Sequence, residues 1–176
     1  RNGLRADLAY PFYSSKEDWV SNVMAGNLSV RREAALAIGG FDEKFTGVAY
    51  RFETDFARRL IATGGRIRFF PKASINHLRA SSGGTRSRGS HMTSISPRYG
   101  IGDYYFAFLH GEGWQRWRYS LARVFREVRT KFHLTHPWWI PVKLLGEIRA
   151  LIAGYSLAAH KTGVPGSKSH SGAPSI

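Results

Sequence analysis

Two carboxylates, Glu53 and Asp55, stand at the start of a segment with helical spacing. Phe52, Phe56 and Leu60 fall on one stripe there, Ala57 and Ile61 lie beside it, and Gly64-Gly65 stops the run. A carboxylate near a helix N-terminus is favoured in its charged form by the dipole. Such a group can take a proton from a hydroxyl as a general base. Asp55 also has Arg58 and Arg59 three and four residues on, the spacing of an ion pair on one helix face. The plainer roles are a solvated helix-end carboxylate for Glu53 and a helix-capping acid for Asp55.

The elements that would hold these groups are short. Residues Arg1 to Asp18 read as an irregular lead-in with aromatic anchors, and Trp19 to Met24 alternates as a strand. A short extended piece at Leu28 to Val30 leads to a helix over Arg32 to Ile38, which Gly39-Gly40 terminates. Gly39 to Glu43 reads as a structural turn in which Phe41 plugs the core and Asp42 caps. The spacing predicts a helix over Tyr50 to Thr63, a strand over Arg66 to Phe70 ended by Pro71, and a second short strand over Ala73 to His77. Arg79 to Arg98 is rich in Ser, Gly, Thr and Arg without periodicity and reads as a long mobile loop. Beyond it, Tyr99 to Leu109 is aromatic and compact. Trp114 to Phe132 is a long amphipathic helix with Trp114, Trp117, Leu121, Val124, Phe125, Val128 and Phe132 on one face and arginines on the rest. His136 to Pro141 is a rigid aromatic turn, a last helix runs from about Val142 to His160, and residues 161–176 read as a disordered tail.

Composition narrows the setting. The 176 residues have the size of one domain, and 43% hydrophobic residues support a packed core. Cysteine is absent, which excludes a disulfide framework and a thiolate metal site. The net charge of +14 calls for an anionic partner such as nucleic acid, a membrane surface or a phosphate-bearing substrate. Most acids lie in the first third, so a mixed-charge first part precedes a basic second part. The longest apolar stretch, Trp138 to Ala159, is interrupted by Lys143, Glu147 and Arg149, so no segment reads as a membrane span.

From Asn27 to His77 the chain carries, in order, Asn-Leu-Ser-Val-Arg-Arg, Gly-Gly-Phe-Asp-Glu-Lys-Phe, Glu-Thr-Asp-Phe-Ala-Arg-Arg-Leu, Gly-Arg-Ile-Arg-Phe-Phe-Pro and Ile-Asn-His. In that order and spacing the segments resemble the acceptor-side half of family 2 glycosyltransferases, over residues Trp19 to Leu78 and more loosely beyond. The resemblance implies an α/β protein with a partial GT-A (nucleotide-diphospho-sugar transferase) fold: a short mixed sheet, flanking helices and a C-terminal helical extension. Residues 1–98 would belong to the catalytic domain with its loop at 79–98, and 99–160 would form the basic, aromatic extension. It further implies a nucleotide-sugar donor, a glycan or lipid-linked acceptor, a divalent cation (Mn²⁺ or Mg²⁺), and inversion at the anomeric carbon. Glu53 then stands where the general base would be, although the first acid of the usual pair is Phe52 here. By the same resemblance, His77 would help bind the metal-diphosphate, and Arg86 or Arg88 would neutralise the leaving group from a closing loop. Asn27, Arg31 and Arg32 would border the acceptor site. The plainer readings are an edge histidine, an unstructured basic loop and a solvated helix start.

The family's donor half ordinarily carries an Asp-x-Asp metal motif, which is missing here, so the chain is expected to be a fragment inactive by itself. Gln115-Arg-Trp-Arg118-Tyr119 approximates a signature of processive synthases but sits on an amphipathic helix and is treated as chance. The alternatives are a basic module for membrane surface or nucleic acid and a catalytically dead homologue. Nucleic acid is not favoured, because no nucleic-acid-binding signature occurs. The Trp-and-Arg helix suits either packing on the core or lying on an anionic bilayer. The expected location is cytoplasmic, with peripheral contact at the inner face of the plasma membrane.

Overall fold

The computed structural model describes residues 4, 10–11, 13–76 and 90–162. The chain is mixed α/β and mostly helical, with a small two-stranded antiparallel sheet. In chain order the elements are β1 (Asp18–Val20), α1 (Arg32–Ala37), α2 (Phe52–Ala62), β2 (Ile67–Phe69), α3 (Ile101–His110), α4 (Trp114–Val128), α5 (Lys131–Thr135) and α6 (Ile140–Thr162). Single 3-10 turns cover Ala25–Asn27, Pro97–Tyr99 and Pro137–Trp139.

Helices α1, α2 and α6 and strand β2 lie where the residue spacing predicts them. Strand β1 is shorter than predicted, because only Asp18, Trp19 and Val20 find partners, opposite Phe69, Arg68 and Ile67. The predicted strand at Ala73 to His77 does not form over 73–76: the chain turns after Phe70, and among the described residues no neighbour supplies a ladder. Of the predicted loop, residues 90–98 are described and end in the Pro97–Tyr99 turn, which leads into α3. The long predicted helix stops at Val128, and Thr130 caps a separate short α5 by accepting from the His133 N–H. The predicted tail from 163 onward, and any contribution of residues 77–89, lie outside the described residues.

The core is built around α3. Every residue from Gly102 to Phe108 is buried, so this helix is enclosed on all sides, chiefly by α6, with α4 and α2 flanking it. Phe45, Tyr119, Ala150 and Ala158 close around its aromatic residues. Phe41 is exposed at 42%: its ring stacks on Phe56 at 4.4 Å and tilts against Phe52 at 5.5 Å, short of a core plug. Asp42 does cap, accepting from the Lys44 N–H at 3.0 Å, and it also receives the Tyr105 hydroxyl at 2.8 Å and the Lys161 ammonium.

One arrangement reverses the sequence-based expectation. Helix α4 turns Tyr119, Ser120 and Arg123 inward, whereas Trp114 and Phe125 are 66% and 63% exposed. The reason is the company Arg123 finds. Its guanidinium pairs with Asp103 of α3 and donates to Glu147 of α6 at 3.1 Å and to the Tyr99 carbonyl at 3.1 Å. Lys143 completes the network with Glu147 at 2.8 Å and Glu127 at 3.2 Å, and Tyr104 donates to Glu147 at 2.7 Å. Burial disfavours the charged form of Asp103, but Arg123 and Arg51 outweigh it and hold the carboxyl below the ordinary carboxylate range.

Breaking such a network leaves buried charge uncompensated. Replacement of Arg123 by Ala is expected to destabilise the fold by about 3–5 kcal/mol, the cost of removing one partner of a buried pair. Chemical denaturation checks this, with exposed Arg118→Ala as the control that stays within about 0.5 kcal/mol of wild type.

Candidate functional site

The acids singled out from the sequence part company in three dimensions. Glu53, in the first turn of α2, is half-buried and directed at the Ala25–Asn27 turn, where its Oε1 accepts the Ala25 N–H at 2.9 Å. With Oε1 so engaged, Oε2 is the oxygen that can take a proton. Asp55 points the other way, into the protein, and is fully buried. Its Oδ2 receives Arg59 at 2.7 and 2.9 Å, the predicted one-turn pair, and its Oδ1 meets His110 Nε2 of α3 at 2.8 Å. Burial raises the carboxyl, but the hydrogen bonds and charges of His110 and Arg59 hold it below its ordinary value. Asp55 is therefore a strut between α2 and α3, and Glu53 alone of the two opens toward solvent.

The backbone before Glu53 is held in an uncommon conformation. Ala49 and Arg51 have φ of 53° and 73°, a left-handed region costly for residues with a Cβ. Two close approaches enforce it. Gly102 passes against the Tyr50 backbone and Gly47 against the Arg98 carbonyl so tightly that a Cβ at either would collide. The Val48 N–H donates to the Arg98 carbonyl at 3.1 Å, and the Arg51 side chain is anchored on Asp103 at 2.7 Å. Strain of this kind persists only where the surroundings over-determine it, and it concentrates at sites of function.

Asn27 belongs to the 3-10 turn that Glu53 contacts, and Arg31 and Arg32 follow it along the chain. Asn27 donates from Nδ2 to the Ala73 carbonyl at 2.6 Å, tying the 3-10 turn to the segment after β2. Arg31, exposed, precedes α1, and Arg32 is its exposed first residue. A cavity of about 560 Å³ lies between the β1–β2 ribbon and helices α1 and α2. Met24 and Asn27, on either side of Ala25, border it, as do Arg31, Phe56 and Phe69. On the ribbon, the Arg66 guanidinium sits 3.7 Å over the Trp19 ring. The structure thus brings Asn27 and Arg31 to one concave region; Glu53 is not among its lining residues but touches Ala25, between the lining Met24 and Asn27, and Asp55 is turned away into the core. Residues His77, Arg86 and Arg88 lie outside the described residues.

Comparison with protein-family models, with curated proteins and with solved structures finds no match. The site has to be read on its chemistry. Among the described residues, no group of three or more His, Asp or Glu side chains is arranged to hold a metal ion. Phe52 stands where the resemblance expects an acid, and its side chain belongs to the aromatic cluster with Phe41. The sequence reading missed Arg51, Asp103 and His110, whose partners lie about fifty residues away. The unusual Ala49-to-Arg51 approach to the helix had no composition signal, because neither left-handed residue, Ala49 or Arg51, is Gly or Asn.

Two outcomes follow. Arg51→Gly is expected to be more stable than Arg51→Ala by about 1 kcal/mol, since both lose the Asp103 contact but only Ala keeps the left-handed penalty; thermal melts of the two variants decide it. Asp55→Asn should cost about 1–3 kcal/mol at neutral pH. A depressed folded-state pKa contributes stability above the unfolded carboxylate value of about 3.9, and that contribution is lost as the pH falls through the folded value. The gap between wild type and Asp55→Asn in urea unfolding should therefore close as the pH drops below about 4.

Proposed function

We propose that this chain is the acceptor-side part of an inverting glycosyltransferase of the family 2, GT-A type, with Glu53 as general base. The observation that supports the reading is the placement of Glu53: half-buried, aimed by the Ala25 N–H, preceded by a left-handed Arg51, and held against the turn whose Asn27, with neighbouring Met24, lines the cavity. A base needs a fixed direction and one free oxygen, and this carboxylate has both.

In the proposed reaction Glu53 Oε2 takes the proton of an acceptor hydroxyl on a glycan or lipid-linked acceptor. The hydroxyl oxygen forms a bond to the sugar's anomeric carbon from the face opposite the nucleotide. The bond from that carbon to the diphosphate oxygen breaks, and the electron pair leaves with the nucleoside diphosphate. Configuration is inverted and Glu53 ends protonated. Asn27, Arg31 and Arg32 are assigned to the acceptor side, and Arg86 and Arg88 to neutralising the leaving group. A divalent cation, Mn²⁺ or Mg²⁺, with His77 as a ligand would share that neutralisation when bound. Asp55 positions α2 by holding Arg59 and His110 and does not touch substrate.

Release of nucleoside diphosphate from a nucleotide-sugar in the presence of Mn²⁺ tests the proposal, measured on the protein carrying this chain. Glu53→Gln is expected to lower turnover by about 100-fold or more with little change in stability. Equal rates for the two proteins would remove Glu53 from the role of base. A deficit of similar size in Asp55→Asn, without loss of stability, would contradict its assignment as a strut.

A further inference from the structure

Helices α4 and α6 present one outward face that the core does not use. On α4, Trp114, Trp117, Leu121 and Phe125 are 42–66% exposed, because Arg123 has claimed the inward side. On α6, Ile148, Ile152 and Tyr155 are 52–63% exposed, while Lys143 and Glu147 are buried. The two stripes are continuous. The Phe108 ring meets Trp117 and Tyr155 edge-on, each at 5.2 Å, and so joins the start of α4 to the end of α6. At the other end, Arg123 with Glu147 and Glu127 with Lys143 pair the end of α4 with the start of α6. The helices therefore lie side by side and antiparallel, with both apolar stripes turned to solvent.

The charges around this face are almost all of one sign, exposed Glu112 just before α4 being an exception. Between Gly113 and Thr162 the sequence holds two acids, Glu127 and Glu147. Both are turned inward, with side chains 17% and 3% exposed, and are occupied by Arg123 and Lys143. The exposed charges of the same stretch include Arg118, Arg126, Arg129, Lys131 and Arg149, all cationic. The buried network removes the negative charges from the surface and leaves the positive ones on it.

We propose that this face docks on an anionic lipid bilayer, with α4 and α6 lying in the headgroup plane and their apolar stripes entering the acyl boundary. Tryptophan and tyrosine favour that depth, and flanking arginines reach anionic headgroups. The helices lie on the bilayer and do not cross it: among the described residues no helix is long and apolar enough to span a membrane. A second copy of the chain would bring two cationic rims together, and a nucleic acid would leave the Ile, Leu and Phe side chains without an apolar partner. The bilayer satisfies both the charge and the apolar surface. The proposal does not depend on Glu53, because lipid binding is read without turnover.

Flotation of the full chain with vesicles tests it, using phosphatidylcholine alone and phosphatidylcholine mixed with phosphatidylglycerol, together with tryptophan emission. Wild type is expected to float with the anionic vesicles at low salt and to shift its emission to the blue. Leu121→Glu/Phe125→Glu, at exposed sites, should lower the partition coefficient by about tenfold or more. Arg118→Gln/Arg129→Gln should weaken binding severalfold on anionic vesicles only. Circular dichroism of both variants should match wild type. Absence of wild-type flotation with anionic vesicles would overturn the proposal. So would binding that the apolar variant leaves unchanged, which would mean adsorption by charge alone. A lipid-free dimer in sedimentation velocity that Leu121→Glu/Phe125→Glu dissociates would assign the face to a second copy instead.

Discussion

The buried guanidinium of Arg123 is the interaction on which the rest of the arrangement depends. A charge placed among α3, α4 and α6 carries a large desolvation cost unless its whole surroundings answer it. Here Asp103, Glu147, the Tyr99 carbonyl and, more distantly, Glu127 do so, and Lys143 balances the remaining negative charge. Tyr104 and Tyr119 donate into the same network, and burial with the nearby carboxylates pushes both phenols well above their ordinary value, Tyr119 to about 12. They stay neutral donors across the physiological range. A network this complete fixes the rotation of each helix about its own axis, because turning α4 would bury its apolar stripe only by stranding Asp103 and Glu147.

That constraint reaches the candidate site. Asp103 takes Arg123 from one side and Arg51 from the other. Arg51 is the left-handed residue immediately before α2, and Glu53 follows two positions later. The charge network of the helical part is thereby joined to the backbone that aims the proposed base. A second link runs from Asp55 to His110, the last residue of α3. The two parts of the chain that the residue composition separates, mixed-charge and basic, are bound together by ion pairs whose partners come one from each.

The same network shapes the outer surface. Each acid drawn inward by Arg123 or Lys143 is an acid missing from the solvent side, so the apolar stripes of α4 and α6 acquire a cationic border. Here stabilising the interior and charging the exterior are one event. The histidine of α5 shows the opposite, purely local case. His133 is fully buried, meets the Met92 carbonyl through Nε2 at 2.9 Å and Thr130 Oγ1 through Nδ1 at 2.8 Å, and pins the segment before α3. Because a carbonyl only accepts, Nε2 is the donor to Met92.

The sequence by itself determined the features that depend on neighbours along the chain. The stripe at Phe52, Phe56 and Leu60 with its glycine stop located α2, Asp55 and Arg59 at one-turn spacing formed their pair, and alternation at Arg66 to Phe70 marked β2. It also identified Glu53 as the acid at a helix start, since that position is local. Only the tertiary structure decided which face of an amphipathic helix turns inward. Periodicity gives the angle between the apolar and charged faces of α4 but not which one the core will receive; that choice rests on Asp103 and Glu147, carried by other helices. Strand β1 and the unformed strand at 73–76 follow the same rule, because a ladder exists only where a partner arrives. The split of Glu53 from Asp55 was likewise settled from outside the helix, by His110 drawing one carboxylate inward and Ala25 holding the other against the 3-10 turn.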